Sequence, residues 1–325
     1  MTEVSISIVL LNYNHGRFLT DALASLCASL EPDDEVLAFD DASTDDSVET
    51  YREFAAKVPQ LRLCLKERNQ GVIACMNEGL RKVQHDYVYF AASDDRVEPG
   101  FLPAMRALLR AHPGAGLTSC RCRLIDESGR ALGLLPTPKV RDVPGFLDPS
   151  GVAKAFLEDD NWLVGASTIY RRKPLLDAGA FLPELGSFCD GFASRVVALR
   201  HGACFSPDAL TNWRRMEEGY SSSEAANMER MTRICDTTLT LMATTYADCF
   251  PLEYRERWRG RWLFGTRCRS WRQQQKGHAG VEGPLRGAWL ILKAVVVSGA
   301  LFLRYRPRDL MPVLKRRLAY LVGAA

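Results

Sequence analysis

The 325-residue chain has no C-x-x-C pair among its ten cysteines, and only Cys120 and Cys122 lie close together. A zinc ribbon or a dithiol redox centre needs thiols paired at short spacing, so neither is expected and the cysteines read as buried or incidental. Histidine is scarce: the five, at positions 15, 85, 112, 201 and 278, are dispersed, and none is assigned to catalysis. His15 lies near the first loop and reads as a surface residue. No basic segment precedes the short apolar run Ser5–Leu11, and Asn12 stops it, so no secretory leader is read and a reducing cytoplasmic setting is expected. Internal repeats and low-complexity stretches are also missing. A composition that is 47% hydrophobic excludes disordered and collagen-like classes and supports a substantial core.

The formal charge of +3 conceals a split. Residues 251–325 hold 16 Lys and Arg against 4 Asp and Glu, while residues 1–250 hold 26 against 35. An acidic body with a basic tail implies that the tail meets something anionic.

The first 122 residues alternate short β-rich apolar runs with longer amphipathic stretches, the pattern of a parallel sheet wrapped by helices. Strands are expected at Ser5–Leu11, Glu35–Asp40, Leu61–Lys66, Tyr87–Ala91 and Leu117–Cys122. Helices are expected near Arg17–Ser29, Ser47–Lys57, Gly71–Val83 and Gly100–Ala111, with Asp46 or Ser47 capping the second. Residues 126–150 carry four prolines and read as a long excursion that covers an active site. From Gly151 the pattern gives a helix, a strand near Ala166–Tyr170, and helices at Lys173–Ala178 and Asp190–His201; beyond Ser221 it is helical throughout.

In open parallel sheets ligands collect beyond the carboxyl ends of the strands. This chain concentrates its polar residues there: Leu11-Asn12-Tyr13-Asn14, Asp40-Asp41-Ala42-Ser43-Thr44-Asp45, Arg68-Asn69-Gln70-Gly71 and Ser93-Asp94-Asp95. Asp40 and Asp41 follow apolar Val36–Phe39, where a carboxylate accepts from a base N–H or a ribose hydroxyl; a solvated turn with a helix cap is the alternative. Asp94 and Asp95 follow the apolar run Tyr87–Ala92 and would repel each other. Mg²⁺ or Mn²⁺ removes that penalty, because it takes one or two carboxylates plus phosphate and water; the alternative is a turn capping the next helix.

Four spaced stretches, Ile8–Asn14 (IVLLNYN), Phe39–Ser47 (FDDASTDDS), Arg68–Gly79 (RNQGVIACMNEG) and Phe90–Phe101 (FAASDDRVEPGF), resemble the family-2 glycosyltransferases of GT-A fold. A weaker likeness continues through Val164–Gly202, so that it covers about residues 4–215. The resemblance implies an α/β, Rossmann-like, mostly parallel sheet flanked by helices, with an α-helical C-terminal extension. It divides the chain into a transferase domain over 1–220, with a nucleotide-sugar half at 1–125 and an acceptor-side half at 126–220, and a basic helical region at 221–325. It implies that Tyr13 stacks on the nucleotide base, that Asp41 binds base or ribose, and that Arg68 sits near base or phosphates, with Leu11, Asn14, Asp40 and Asn77 completing the donor site. Asp94 and Asp95 match the metal and ribose carboxylates, and Asp190 matches the catalytic base of an inverting displacement. The implied donor is a nucleotide sugar, a UDP-sugar favoured, and the implied acceptor a saccharide or lipid-linked glycan in surface polysaccharide assembly.

The chain departs from the family pattern at Ala92, Met216 and Cys189, where the family has Asp, His and an acidic residue. Arg214, Arg215 or Glu218 are the substitutes within reach of the missing histidine. Trp162 with Asp159 and Asp160 offers an aromatic face and carboxylates for an acceptor sugar, although aromatics at such positions are more often core. Ala288–Leu303, followed by six arginines and lysines to residue 317, reads either as an interfacial helix on anionic lipid at the inner face of the membrane or as a helix completing the core or a homo-oligomer. No nucleic-acid module accompanies the basic charge, so no nucleic-acid partner is expected. Two rival functions stand beside transfer: a degenerate, non-catalytic nucleotide-sugar or membrane-binding protein, and a nucleotidyltransferase, against which the lack of a glycine-rich basic loop after strand one counts.

Overall fold

Apolar runs that are buried on both faces can only be interior strands, and the chain has three of them side by side. β1 (Ile6–Asn12), β2 (Glu35–Asp40) and β4 (Tyr87–Ala92) are buried almost end to end. In the computed structural model, which describes residues 4–216, 224 and 227–275, β1 lies between β2 and β4 and pairs with both in parallel. β3 (Leu61–Leu65) extends this parallel half at the β2 edge.

The connections are helical, as parallel pairing requires: α1 (Gly16–Cys27), α2 (Ser47–Ala55) and α3 (Val72–Lys82). After β4 the two-residue β5 (Arg96–Val97) precedes α4 (Phe101–Ala111) and the nine-residue β6 (Leu117–Ile125). The proline-rich excursion contains two short strands, β7 (Ala131–Leu134) on β6 and β8 (Gly145–Leu147) on what becomes β10. α5 (Pro149–Glu158) follows, with Pro149 in its first turn and Asp148 accepting from the Gly151 N–H at 2.7 Å. Then come β9 (Ile169–Arg171), α6 (Arg172–Asp177), α7 (Cys189–His201) and β10 (Ala203–Arg214).

All ten strands form one sheet in the order β3-β2-β1-β4-β9-β6-β10-β5, so strands from both sides of residue 125 share it. β9 runs antiparallel between β4 and β6, which separates the parallel half from a mixed half. One face of β1 and β4 (Ile6, Ile8, Leu10, Tyr87, Tyr89) packs on α1, α2 and α4; the other (Val9, Val88, Phe90) packs on α3, α5 and α7. The described C-terminal helices α8 (Met228–Ala243) and α9 (Leu252–Gln275) join this second layer, burying Met242, Tyr254 and Trp258. Among the described residues no helix is long and apolar enough to cross a membrane, and the basic segment 288–317 lies outside them.

Candidate active site

The polar strand ends meet at one edge of the sheet. Parallel register sets Asn12 opposite Asp40 and Leu11 opposite Ala92, and the Ser93 N–H donates to the Leu11 carbonyl at 3.0 Å. Asp40, only 1% exposed, accepts from Asn12 Nδ2 at 2.8 Å and from the Ser43 N–H at 2.8 Å, while Ser43 Oγ accepts from the Asn14 N–H at 2.9 Å. Asn14 holds φ of 55° and accepts from the Thr44 N–H at 2.7 Å, which locks the β1–α1 loop to the β2–α2 loop. Asp40 and Asn14 therefore build a rim of tied loops at this sheet edge. Asp41 accepts from the Gln70 and Gly71 N–H groups at 2.9 and 2.8 Å, a carboxylate clamp on the turn that opens α3. The Cys75 thiol also hydrogen-bonds this carboxylate, which is only 4% exposed.

Tyr13 stands 46% exposed beside this rim, with a ring free to stack, and Arg68 is exposed on the β3–α3 loop. Leu11 is partly buried under them. Asn77 is turned away: its amide donates to the Phe181 carbonyl at 2.8 Å and accepts from the Phe181 N–H at 3.1 Å. This two-way tie between α3 and the chain before α7 commits the amide nitrogen and oxygen of Asn77 to the backbone, a structural role where a nucleotide-sugar contact was expected.

Asp94 and Asp95 follow β4 at the same edge. The Arg214 N–H donates to Asp95 Oδ1 at 2.8 Å, and Arg214 Nε donates to the Asp94 carbonyl at 2.7 Å. The rest of that guanidinium is committed to the Asp126 and Glu127 carbonyls and to Asp21 Oδ2, over the Phe18 ring. Arg214 thus clamps the backbone of the carboxylate turn, while its charge is shared with Asp21. Burial, and then the Asp94 charge, push the Asp95 carboxyl well above the usual range; burial also raises Asp94 against the opposing pull of His15, whose Nδ1 is 4.0 Å from Asp94 Oδ1. Two adjacent carboxylates on one turn, only partly offset by His15 and Arg214, fit the donor set of a hard divalent cation that completes its shell with phosphate and water. No group of three or more metal-ligating side chains occurs among the described residues, so an ion here would take most of its ligands from substrate and solvent.

Asp190 lies in the first turn of α7, its Oδ1 accepting from the Gly191 N–H at 2.7 Å. A 3₁₀ turn at Gly165–Ser167 closes over it so tightly that a Cβ on Gly165 would stand 2.2 Å from Asp190 Oδ2. Burial raises the Asp190 carboxyl, partly offset by the Gly191 N–H and by Arg195. A carboxylate of raised basicity is suited to accept a proton.

The expected acceptor pair is overturned. Trp162 is 0% exposed and packs against Phe156 and Phe205. Asp160 is locked in a buried cluster with Arg195, Arg261 and Tyr254. Neither side chain can face a sugar. Sequence reasoning also missed Gly165 and the clamp role of Arg214; a lone glycine and one arginine among 42 basic residues carry no local signal of such contacts. Glu218 lies outside the described residues.

Residues 7–134 match the profile described as Glycosyl transferase family 2. The chain carries a family 2 glycosyl transferase segment. A stretch of 138 residues is 36% identical to an uncharacterized glycosyltransferase of Haemophilus influenzae, covering 42% of this chain and 54% of that protein. Over 174 residues the chain is 24% identical to the poly-β-1,6-N-acetyl-D-glucosamine synthase of Staphylococcus epidermidis, covering 54% of this chain and 41% of the relative. The chain thus spans about half the length of these curated relatives. In fold it is similar to S. aureus TarS 1–349 solved with UDP-GlcNAc (TM-score 0.63, 18% identity, 99% of this chain and 89% of that one). It is also similar to the Pyrobaculum calidifontis mannosyltransferase PcManGT solved with GDP-Man and Mn²⁺ (TM-score 0.56, 16% identity, 98% and 85%). The fold is GT-A, and the relatives include polysaccharide synthases.

Proposed function

We propose that the protein transfers a sugar from a nucleoside-diphosphate sugar, a UDP-sugar favoured, to an acceptor hydroxyl of a saccharide or lipid-linked glycan, with inversion and with a divalent cation at Asp94–Asp95. The observation that carries this reading is the carboxylate turn after β4, where two adjacent acids share one edge of the sheet and burial outweighs the pull of His15 and Arg214 on them. A Mg²⁺ or Mn²⁺ ion there supplies charge neutralisation to a departing diphosphate. The protein's own groups do the rest. Tyr13 offers a ring to the base, Asp41 offers a carboxylate to base or ribose, the Asn14–Ser43–Thr44 bonds hold the two loops together, and Arg214 keeps the carboxylate turn in place. Asp190, walled by Gly165, takes the proton of the attacking hydroxyl. A GT-A neighbour solved with GDP-Man and Mn²⁺, and another with UDP-GlcNAc, support the donor class.

The test is release of UDP from UDP-N-acetylglucosamine, and of GDP from GDP-mannose, with Mn²⁺ or with EDTA. Cation-dependent release that Asp190→Asn reduces at least about a hundredfold is expected, because general-base catalysis is worth roughly two to four orders of magnitude. Nucleotide binding should survive that substitution. Cation-independent release, or an Asp190→Asn variant with full turnover, would remove the corresponding part of the mechanism.

A further inference from the structure

Behind Asp190 lies a buried charge cluster that the reaction as described does not use. Arg195, one turn along α7 and only 5% exposed, donates from Nη1 to the Gly191 carbonyl at 2.7 Å, from Nη2 to the Asp160 carbonyl at 2.8 Å, and from Nε to the Tyr254 hydroxyl at 3.2 Å. Asp160 is equally buried and takes Arg195 Nη2 at 3.3 Å, Arg261 Nη1 at 3.2 Å and the Tyr254 hydroxyl at 3.0 Å. Arg261 is fixed in turn by the Phe156 and Leu157 carbonyls, at 2.8 and 2.6 Å, and by that of Glu158 at 3.1 Å. The rings of Phe188 and Phe156 flank the Arg195 guanidinium at 5.1 and 5.8 Å. Three separate pieces of chain, α7, the segment after α5, and α9, therefore converge on one guanidinium.

A buried ion cluster of this kind stabilises no better than well-packed apolar side chains of the same volume, so its presence calls for another role. The position suggests one. Gly191, whose carbonyl Arg195 holds, is also the residue whose N–H fixes Asp190 Oδ1. The peptide units on either side of Gly191 are thus gripped by the base and by the arginine.

We propose that Arg195 is a positioning residue for the base: anchored through Asp160 to Tyr254 and Arg261 of α9, it holds the first turn of α7 and sets the proton affinity of Asp190. The C-terminal helix α9 thereby becomes a working part of the acceptor side. This rests on the reading of Asp190 as the base. The other titratable groups around Asp190 are few. Cys189 is on its own helix, and the Tyr170 hydroxyl reaches its carbonyl from β9 at 3.4 Å. Glu224, bound to the Ser187 N–H and to Arg230, acts from the Cys189 side. Lys173 and Asp177 of α6 lie near His201 at the far end of the helix. Arg195 is the cation that opposes the burial of Asp190.

The experiment follows the Asp190 carboxyl directly. The full chain is labelled with ¹³Cγ-aspartate, and the resonance missing from Asp190→Asn identifies Asp190. Arg195→Met should move its titration midpoint upward by about one pH unit, the lower end of the effect of a neighbouring opposite charge. Arg195→Lys, which keeps the charge, should bring the midpoint back toward that of the parent. In case Arg195→Met does not fold, the paired variant Asp160→Asn/Arg195→Met removes both charges together and should show the same upward movement. A midpoint that stays in place in the foldable variant overturns the proposal. UDP release from UDP-N-acetylglucosamine with Mn²⁺ reads the base assignment separately: turnover retained in Asp190→Asn sinks that assignment, whereas turnover lost there with an unmoved midpoint in the arginine variants sinks the positioning role alone.

Discussion

Asp95 combines two properties that oppose each other at neutral pH, a position inside the protein and a neighbour of the same charge. Burial and Asp94 both favour its protonated form, so the ionised pair weakens the metal-free fold. The sign follows from the raised carboxyl: its contribution to stability is complete below the pKa of the unfolded chain and declines as pH climbs through the folded value. Asp95→Asn should therefore leave the metal-free melting temperature at pH 7.5 equal or higher, and should abolish the rise that Mn²⁺ with UDP gives the parent protein; a lower melting temperature with the rise intact contradicts this. Gly165 gives a second prediction. A methyl there would meet Asp190 Oδ2 at 2.2 Å, so Gly165→Ala should lower kcat about tenfold or more while the KM for the donor is held. The carboxylates were legible in the sequence because their spacing beyond apolar runs is distinctive. Asn77, Trp162 and Asp160 were misread because an amide, an indole or an acid has the same identity whether it ties two backbones, fills a core or meets a sugar.

Elements whose patterns are continuous were readable. β2 was expected at Glu35–Asp40 and is found there, and β6 begins at Leu117 as expected but runs on to Ile125, beyond Cys122. β10 was missed. Its sequence, ACFSPDALTNWR, places Pro207 and Asp208 in mid-strand, and the register against β6 slips between Ser206 and Ala209 and again between Ala209 and Thr211. Such irregularities let a long strand pass a proline, at the cost of the alternation that a reader of sequence looks for. The excursion 126–150 was also taken as irregular, yet β7 and β8 pair with the sheet through partners that no local pattern reveals. Asp46 is the N-cap residue of α2, as expected, but its side chain makes no cap bond; Asp45 instead accepts from the Ser47 and Gly16 N–H groups at 3.1 and 2.9 Å. For α3, Asp41→Ala removes the acceptor of two N–H groups and should destabilise the protein by about 1–2 kcal/mol in urea unfolding, a value set by lost caps. No change in midpoint would show that the turn finds other partners.

At the scale of the whole molecule, the described C-terminal helices share the core with α5 and α7, with Tyr254 and Trp258 buried against Phe156, Phe188 and Phe250. Asp160→Ala would leave two buried arginines without their carboxylate and should cost about 3–5 kcal/mol, a loss readable as an early, cooperative unfolding transition. A separate transition for α8 and α9 would instead show that they do not share the core's cooperativity. The central claim concerns the proposed cation site at the sheet edge where β1, β2 and β4 end, on the acids after β4. Crystals grown with UDP and Mn²⁺, with diffraction collected at the manganese absorption edge, test it most directly. The account predicts an anomalous peak within about 2.2 Å of an oxygen of Asp95 or Asp94, shared with the diphosphate; density for UDP at Tyr13 with no anomalous peak at that turn would contradict it.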